Sequence, residues 1–376
     1  MRSETSSFQM ISAAGTIVTP HSEEAKRIRL ARWCDRVGAL PVLQGLRRLW
    51  RRDLRILAYH RVLDIPDIGT FPFDLAVVSA STLQFREQLT LIRRRFHPVT
   101  FRDLFAAMDG GPALPADAIL ITFDDGYDDN YRVAFPILRD LGMSAMFFVS
   151  TGHIDSGLPY SYDWLVHMIC MTTAERLVIP ELGIDRALPR GRAERRVVAG
   201  ALLERVKRFD DTAQQAIISR LQREWDMPRK PHPDCHPMNW DQLREMQAAG
   251  MEIGSHGVDH RMLAKLSQDE LLREIKGSKA ALDAHLDLPA EVISYPVGGY
   301  DAYDQQVMDI AKQTGYRAAC NYIVGTNSLP TAARYALSRL PVEREMDIAW
   351  FTALTTLPEV FGYASNRNGG QRKGSA

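Results

Sequence analysis

The sequence predicts an α/β protein in which short parallel strands are covered by helices, and three observations carry that prediction. Runs such as Ala118-Ile-Leu-Ile-Thr-Phe123 and Ala145-Met-Phe-Phe-Val149 are apolar throughout, as strands buried on both faces are. These runs alternate with helical segments that start on the capping boxes Ser81–Gln84, Asn239–Gln242 and Ser267–Glu270. Polar residues capable of chemistry stand where strands stop: His60, the pair Asp124 and Asp125, and His256 with His260. In parallel α/β folds, the carboxyl ends of strands are where sites are assembled.

Composition sets bounds on the function. The chain of 376 residues is long enough for a sizeable core. Lys+Arg and Asp+Glu are 46 each, so no global field points to nucleic acid or another polyanion. The four cysteines are scattered without a Cys-x-x-Cys pair, which argues against a zinc-thiolate site or a disulfide framework. No stretch approaches an uninterrupted membrane span, and the polar start of the chain lacks an export signal pattern, so a cytoplasmic location is the expectation.

Taken in order, residues 1–24 lack periodicity and are expected to be disordered. Residues 25–53 form a basic amphipathic segment: nine Lys or Arg against one acid between Ala25 and Arg52, interleaved with Trp33, Leu46, Leu49 and Trp50. Pro41 is expected to split it into two helices. Such a stretch can lie on an anionic membrane surface, here the inner membrane face, or pack on the domain with its arginines in water. The main domain runs over 54–362, with strands near Leu54–His60, Ala118–Phe123, Ala145–Val149, Met251–Ser255, Val292–Pro296, Arg317–Cys320 and Ala336–Leu340. Helices follow Ser81, Asn130, Asn239, Ser267 and Val307, with Pro136 forcing a kink or restart in the second. Residues 151–238, first rich in Gly, Pro and Tyr and then charged and helical, are too long for a crossover and read as an insertion or lid. The tail 363–376 is expected to be disordered.

Adjacent aspartates at a buried strand end repel each other and lose hydration, so a fold keeps them only with compensation. A metal ion compensates if one carboxylate ligates and the other acts as a base; the alternative is an acidic Asp-Gly turn. His256 and His260, spaced as on a helical turn, would put two imidazoles on one face, or form a solvated turn. Together the two motifs make a His₂-Asp set with open positions for water and substrate.

Thr122-Phe-Asp-Asp-Gly-Tyr127 and Ser255-His-Gly-Val-Asp-His260 resemble the first two motifs of the polysaccharide deacetylases, the NodB-homology group of carbohydrate esterase family 4. The resemblance covers roughly Leu54–Gly362. It implies a distorted (β/α)7 barrel of the NodB-homology type with a helical insertion or lid, and removal of acetyl groups from glycans. It also implies Asp124 as general base, Asp125, His256 and His260 as metal ligands, and the Tyr127 N–H as oxyanion donor. Two departures stand out. The family's third motif usually carries an arginine two residues before its proline, where Ser294-Tyr295-Pro296 has serine. The usual Leu-x-His near the C-terminus is replaced by Leu337-Ser-Arg339. Both departures resemble the circularly permuted branch typified by biofilm poly-N-acetylglucosamine deacetylases, whose acid histidine comes from an N-terminal Tyr-His. Tyr59-His60 matches it, which makes His60 the expected general acid.

The expected function is therefore metal-dependent N-deacetylation of an exopolysaccharide, oligosaccharide or lipid-linked glycan. The alternatives are an O-acetyl esterase or a degenerate glycan-binding barrel. Zinc suits the donor set, though cobalt, nickel or iron also fit. Tyr295 and Pro296 of the third motif, with Tyr160 and Trp164 of the insertion, are the candidate substrate contacts. The two insertion aromatics could instead be lid core.

Overall fold

In the computed structural model, residues 22–329 and 333–362 are described. The expectation of disorder over 1–24 therefore lies almost wholly outside the described residues, as does that for 363–376. Helix α1 (Ser22–Arg36) starts three residues before the expected boundary and is followed by α2 (Ala39–Trp50). The break between them is at Gly38, whose φ of 69° is left-handed. Pro41 instead sits in the first turn of α2, where the missing N–H has no intrahelical partner to lose.

Seven strands follow in the larger of two compact units, which comprises Ala31–Asp64, Val78–Pro159 and the chain from Pro231 on. They are β1 (Asp53–Tyr59), β2 (Ala118–Phe123), β3 (Met146–Val149), β4 (Glu252–Ser255), β5 (Val292–Ser294), β6 (Ala318–Val324) and β7 (Leu337–Pro341). Each pairs in parallel with the next, and β7 returns to β1, so the sheet closes into a seven-stranded barrel. The expected (β/α)7 architecture is thus the observed one. β1 and β2 are buried at every position, which is why neither shows an alternating pattern. Side chains including Leu54, Ile56, Leu120, Phe148 and Val292 pack into one apolar cluster.

The capping boxes at Ser81, Asn239 and Ser267 form as expected and start their helices. After β2 the chain makes a π-helical turn, Asn130–Ala134, before an α-helix restarts at Phe135 with Pro136 in its first turn. Register along the barrel aligns Tyr59 with Phe123, and Ser294 with Cys320, so the strands deliver their last residues to one end.

The smaller unit comprises the chain up to Leu30, Ile65–Val77 and Tyr160–Lys230, a shorter insertion than the expected 151–238. The helices Ser161–Met171, Arg192–Val206 and Asp211–Glu224 and a hairpin share a core of Leu165, Ile169, Leu202, Ile217 and Leu221. Thr151–Ser156, in contrast, is a short helix of the larger unit.

Candidate active site

Three strand ends meet at the carboxyl-terminal mouth of the barrel. β2 ends in Asp124 and Asp125, which are 2% and 5% exposed. Asp125 turns the chain with a φ of 75° and Gly126 continues the turn at 71°. Aspartate tolerates this left-handed region better than most residues. A side chain at position 126 would strike Val149, the end of β3, so the glycine is needed on two counts.

β4 delivers His256 and, four residues on, His260. The spacing had suggested a helical turn, but the chain here is a bend through Gly257 at φ 78° and His260 at φ 56°. Glu274 explains why the bend holds. Its buried carboxylate accepts the N–H groups of Val258 and Asp259 at 2.8 and 3.0 Å, taking up donors that no helix satisfies. The Nδ1 of His256 lies 2.7 Å from the Ser294 carbonyl on β5. That contact fixes the tautomer and aims Nε2 inward.

Asp125, His256 and His260 come together: their ligand atoms all lie within 4.8 Å of one another. The two Nε2 atoms stand 3.4 and 3.2 Å from the same Asp125 oxygen. Tetrahedral bonds of ~2.0–2.1 Å put neighbouring ligand atoms about 3.3 Å apart, so the residues fit a zinc-sized ion. Burial pushes the Asp125 carboxyl up, but its bonds to His256 and His260 and the charges of His260 and His60 outweigh it and hold the group well below the usual range. Burial pulls both histidines down. His256, facing Asp124 as well as Asp125, is raised on balance, while His260 stays lowered.

Asp124 does not belong to that trio. Its partner is Arg339 of β7, which lies 215 residues away in sequence and is wholly buried. The guanidinium grips both carboxylate oxygens at 2.7 and 2.6 Å, in fork-to-fork geometry. Its other donors reach the Asn321 carbonyl at 2.7 Å, the Thr122 hydroxyl at 3.2 Å and the Ser294 hydroxyl at 2.9 Å. The arginine that the third motif lacks is therefore supplied from the strand where the C-terminal histidine was sought, and the small Ser294 leaves room for it. Burial raises the Asp124 carboxyl, yet the charge of Arg339, then that of His256 and the Arg339 hydrogen bonds, bring it below its ordinary value.

His60 follows β1, next to Asp124 in the β1–β2 ladder, and its charge is felt at both aspartates. Its ring meets Tyr322 edge-on at 5.3 Å, its N–H donates to Ser79, and its carbonyl accepts the Asn130 amide. Arg61 next door pairs with Asp129 at 2.8 Å and lies 4.6 Å over the Tyr127 ring. The loops after β1 and β2 are thereby bolted together. Tyr127 bridges Pro237 through the flanking N–H groups of Asp128 and Met238.

The candidate substrate contacts fare differently. Trp164 is 1% exposed, with its indole N–H on the Met227 carbonyl and its ring on His167. Tyr160 is also buried. Tyr295 stacks on Tyr303 and donates its hydroxyl to the Tyr335 carbonyl, and Pro296 is buried. Burial of Trp164 and Tyr160 within the insertion favours the lid-core alternative for both, and Tyr295 and Pro296 are likewise packed into the larger unit. Arg339 and Glu274 are the residues that sequence reasoning missed. The arginine had one signal: Ser294 and Arg339 depart from the family pattern together.

The family profile described as polysaccharide deacetylase matches residues 112–319. The Bacillus subtilis protein YxkH, named for the same family, is 25% identical over 243 residues, 62% of this chain and 55% of its own length. A poly-β-1,6-N-acetyl-D-glucosamine N-deacetylase of Escherichia coli K12 is 39% identical over 67 residues, 18% of this chain and 10% of its own. The chain thus spans about half the length of the first of these relatives and a tenth of the second. The fold is shared with the Streptococcus pyogenes deacetylase PplD, at a TM-score of 0.54 and 19% identity over 81% of this chain and 98% of that one. With the profile covering more than half of its residues and the matching barrel around both acidic and histidine motifs, this chain belongs to the polysaccharide deacetylase family.

Proposed function

We propose that the barrel is a metal-dependent hydrolase that removes N-acetyl groups from a glycan and releases acetate. The observation that carries this reading is the division of labour between adjacent aspartates. Asp125 stands within 3.4 Å of two imidazole nitrogens, while both oxygens of Asp124 are gripped by Arg339. A divalent cation held by Asp125, His256 and His260 would supply Lewis acidity, polarising the acetyl carbonyl and making water more acidic. Zinc suits these donors, and cobalt, nickel or iron would fit them.

The chain's own residues do the rest. Asp124, kept ionised and aimed by Arg339, takes the proton of the attacking water. The Tyr127 N–H donates to the oxygen that gains charge. His60 returns a proton to the departing nitrogen, which an amide needs more than an ester does. The guanidinium that Arg339 brings to Asp124 supports a working site over the degenerate barrel. The Escherichia coli relative's name makes N-acetylglucosamine oligomers the first substrate to try.

The test is acetate release from such oligomers. A chelator should abolish it and zinc restore it. Asp124→Asn should keep the zinc and lose roughly 10²–10⁴-fold in rate, the range for general bases. A zinc-loaded Asp124→Asn enzyme of unchanged rate would refute the assignment.

A further inference from the structure

We propose that the face presented by α2 and the last turns of α1, within residues 31–52 of the larger unit, docks on an anionic lipid surface. In α2, the residues turned inward are Leu40, Gln44 and Arg47, while Val42, Leu46 and Leu49 recur at i, i+4 and i+7 on the opposite side. The helix is inside out: its buried face is mostly polar and its outer face apolar. Val42 is 64% exposed, Leu49 73% and Trp50 81%; α1 adds Trp33 at 57%, and the turn between the helices adds Val37 at 53%. Exposed apolar residues scattered singly, as elsewhere on this chain, are ordinary, but the run from Trp33 to Trp50 gathers most of the largest of them along one short stretch and marks an interaction surface.

The charges around the patch identify the partner. Arg32 and Arg48 are taken by Asp347 and Asp117. Arg36, Arg51 and Arg52 form no ion pair with a carboxylate among the described residues. Arg51 and Arg52 line an open cleft with Arg48, Leu49, Trp50, Ser328 and Leu329 at the end of α2. Tryptophans beside arginines, on an apolar helix face, match the boundary between acyl chains and negative headgroups. A second copy of the chain would set the same cationic rim against itself. The inward face shows that the segment does not need a partner to be ordered. Arg47 is clamped to Asp53 at 2.7 Å and to Glu359 at 2.6 Å, and Gln44 donates to the Arg95 carbonyl at 2.8 Å. The outer apolar face is thus held in place before it meets anything.

Flotation of the full chain with vesicles tests this, using phosphatidylcholine alone or mixed with phosphatidylglycerol. Binding is expected to the mixed vesicles, weakening with salt, with a blue shift of tryptophan emission. Arg51→Ser with Arg52→Ser should weaken binding about 25-fold, from the usual contribution of a base near such a surface. Leu46→Ser, Leu49→Ser and Trp50→Ser together should weaken it roughly 100-fold or more. Unchanged thermal melts of both variants would show that folding is intact. No flotation with the mixed vesicles, equal flotation with phosphatidylcholine alone, or indifference to both sets of substitutions would overturn the proposal. So would concentration-dependent dimers abolished by the same serines, which would assign the face to a second copy.

Discussion

Replacing Arg339 by alanine would leave Asp124 buried without its counter-charge. Breaking a buried pair from one side costs about 3–5 kcal/mol, a large share of the ~5–15 kcal/mol by which a domain is stable. Three further hydrogen bonds, to the Asn321 carbonyl and to the Thr122 and Ser294 hydroxyls, go with the side chain. The milder Arg339→Lys keeps a charge but loses the fork that grips both oxygens. Both variants should slow acetate release, by about 10²-fold for an ångström of misplacement.

The pH dependence separates misfolding from lost positioning. Asp124 sits below its ordinary value, so its stabilising contribution is full above the unfolded carboxylate range and fades as pH falls through the folded value. Without Arg339, burial dominates and the carboxyl moves up. The acid limb of the pH–rate profile should therefore shift to higher pH in Arg339→Ala, and less in Arg339→Lys. A second arm restores the guanidinium from the family's usual position: Ser294→Arg with Arg339→Ser should recover part of the lost rate, since the Ser294 hydroxyl lies 2.9 Å from the guanidinium. An Arg339→Ala enzyme that melts normally with an unmoved acid limb would refute the orienting role.

Glu274→Ala removes the acceptor for the Val258 and Asp259 N–H groups, and zinc affinity measured by competition with a chelating dye should fall about 10–100-fold, while Glu274→Gln should lose less. Unaltered zinc affinity in the alanine variant would leave Glu274 a folding residue alone. His60→Ala should lose more rate on an N-acetyl than on an O-acetyl substrate; equal losses would end its role as proton donor. Trp164→Ala should cost roughly 3–5 kcal/mol in the melt of the insertion, as large buried aromatics do, with zinc binding unchanged.

Asp125, His256 and His260, the residues that converge, were legible because they are short-range features. Asp-Asp-Gly and His-x-x-x-His each lie within five consecutive positions, at the stops of strands that composition reveals. Arg339 was not legible as the partner of Asp124, because their adjacency is created by barrel closure, β7 beside β1 and β1 beside β2. The helical turn expected at His256 failed for a related reason: spacing alone cannot show that Glu274, from another element, will take the N–H groups that a helix would use. Pro41 was read as the break although its place in the first turn is one where proline is tolerated, and Gly38 supplied the reversal. Aromatic composition suggested sugar platforms in the insertion, but a compact unit of that size also needs a core, and Trp164 fills it.

Asp125 and His260 both stand on left-handed backbone, a conformation few side chains choose. The barrel has accepted a small conformational penalty at two of the three positions where the proposed site demands a donor atom. A lineage that gave up catalysis would be released from that demand, and glycine at either position would then gain stability instead of losing it. Substitutions at 125 and 260 are thus a historical marker: among relatives, their identity should tell working hydrolases from barrels kept for other ends.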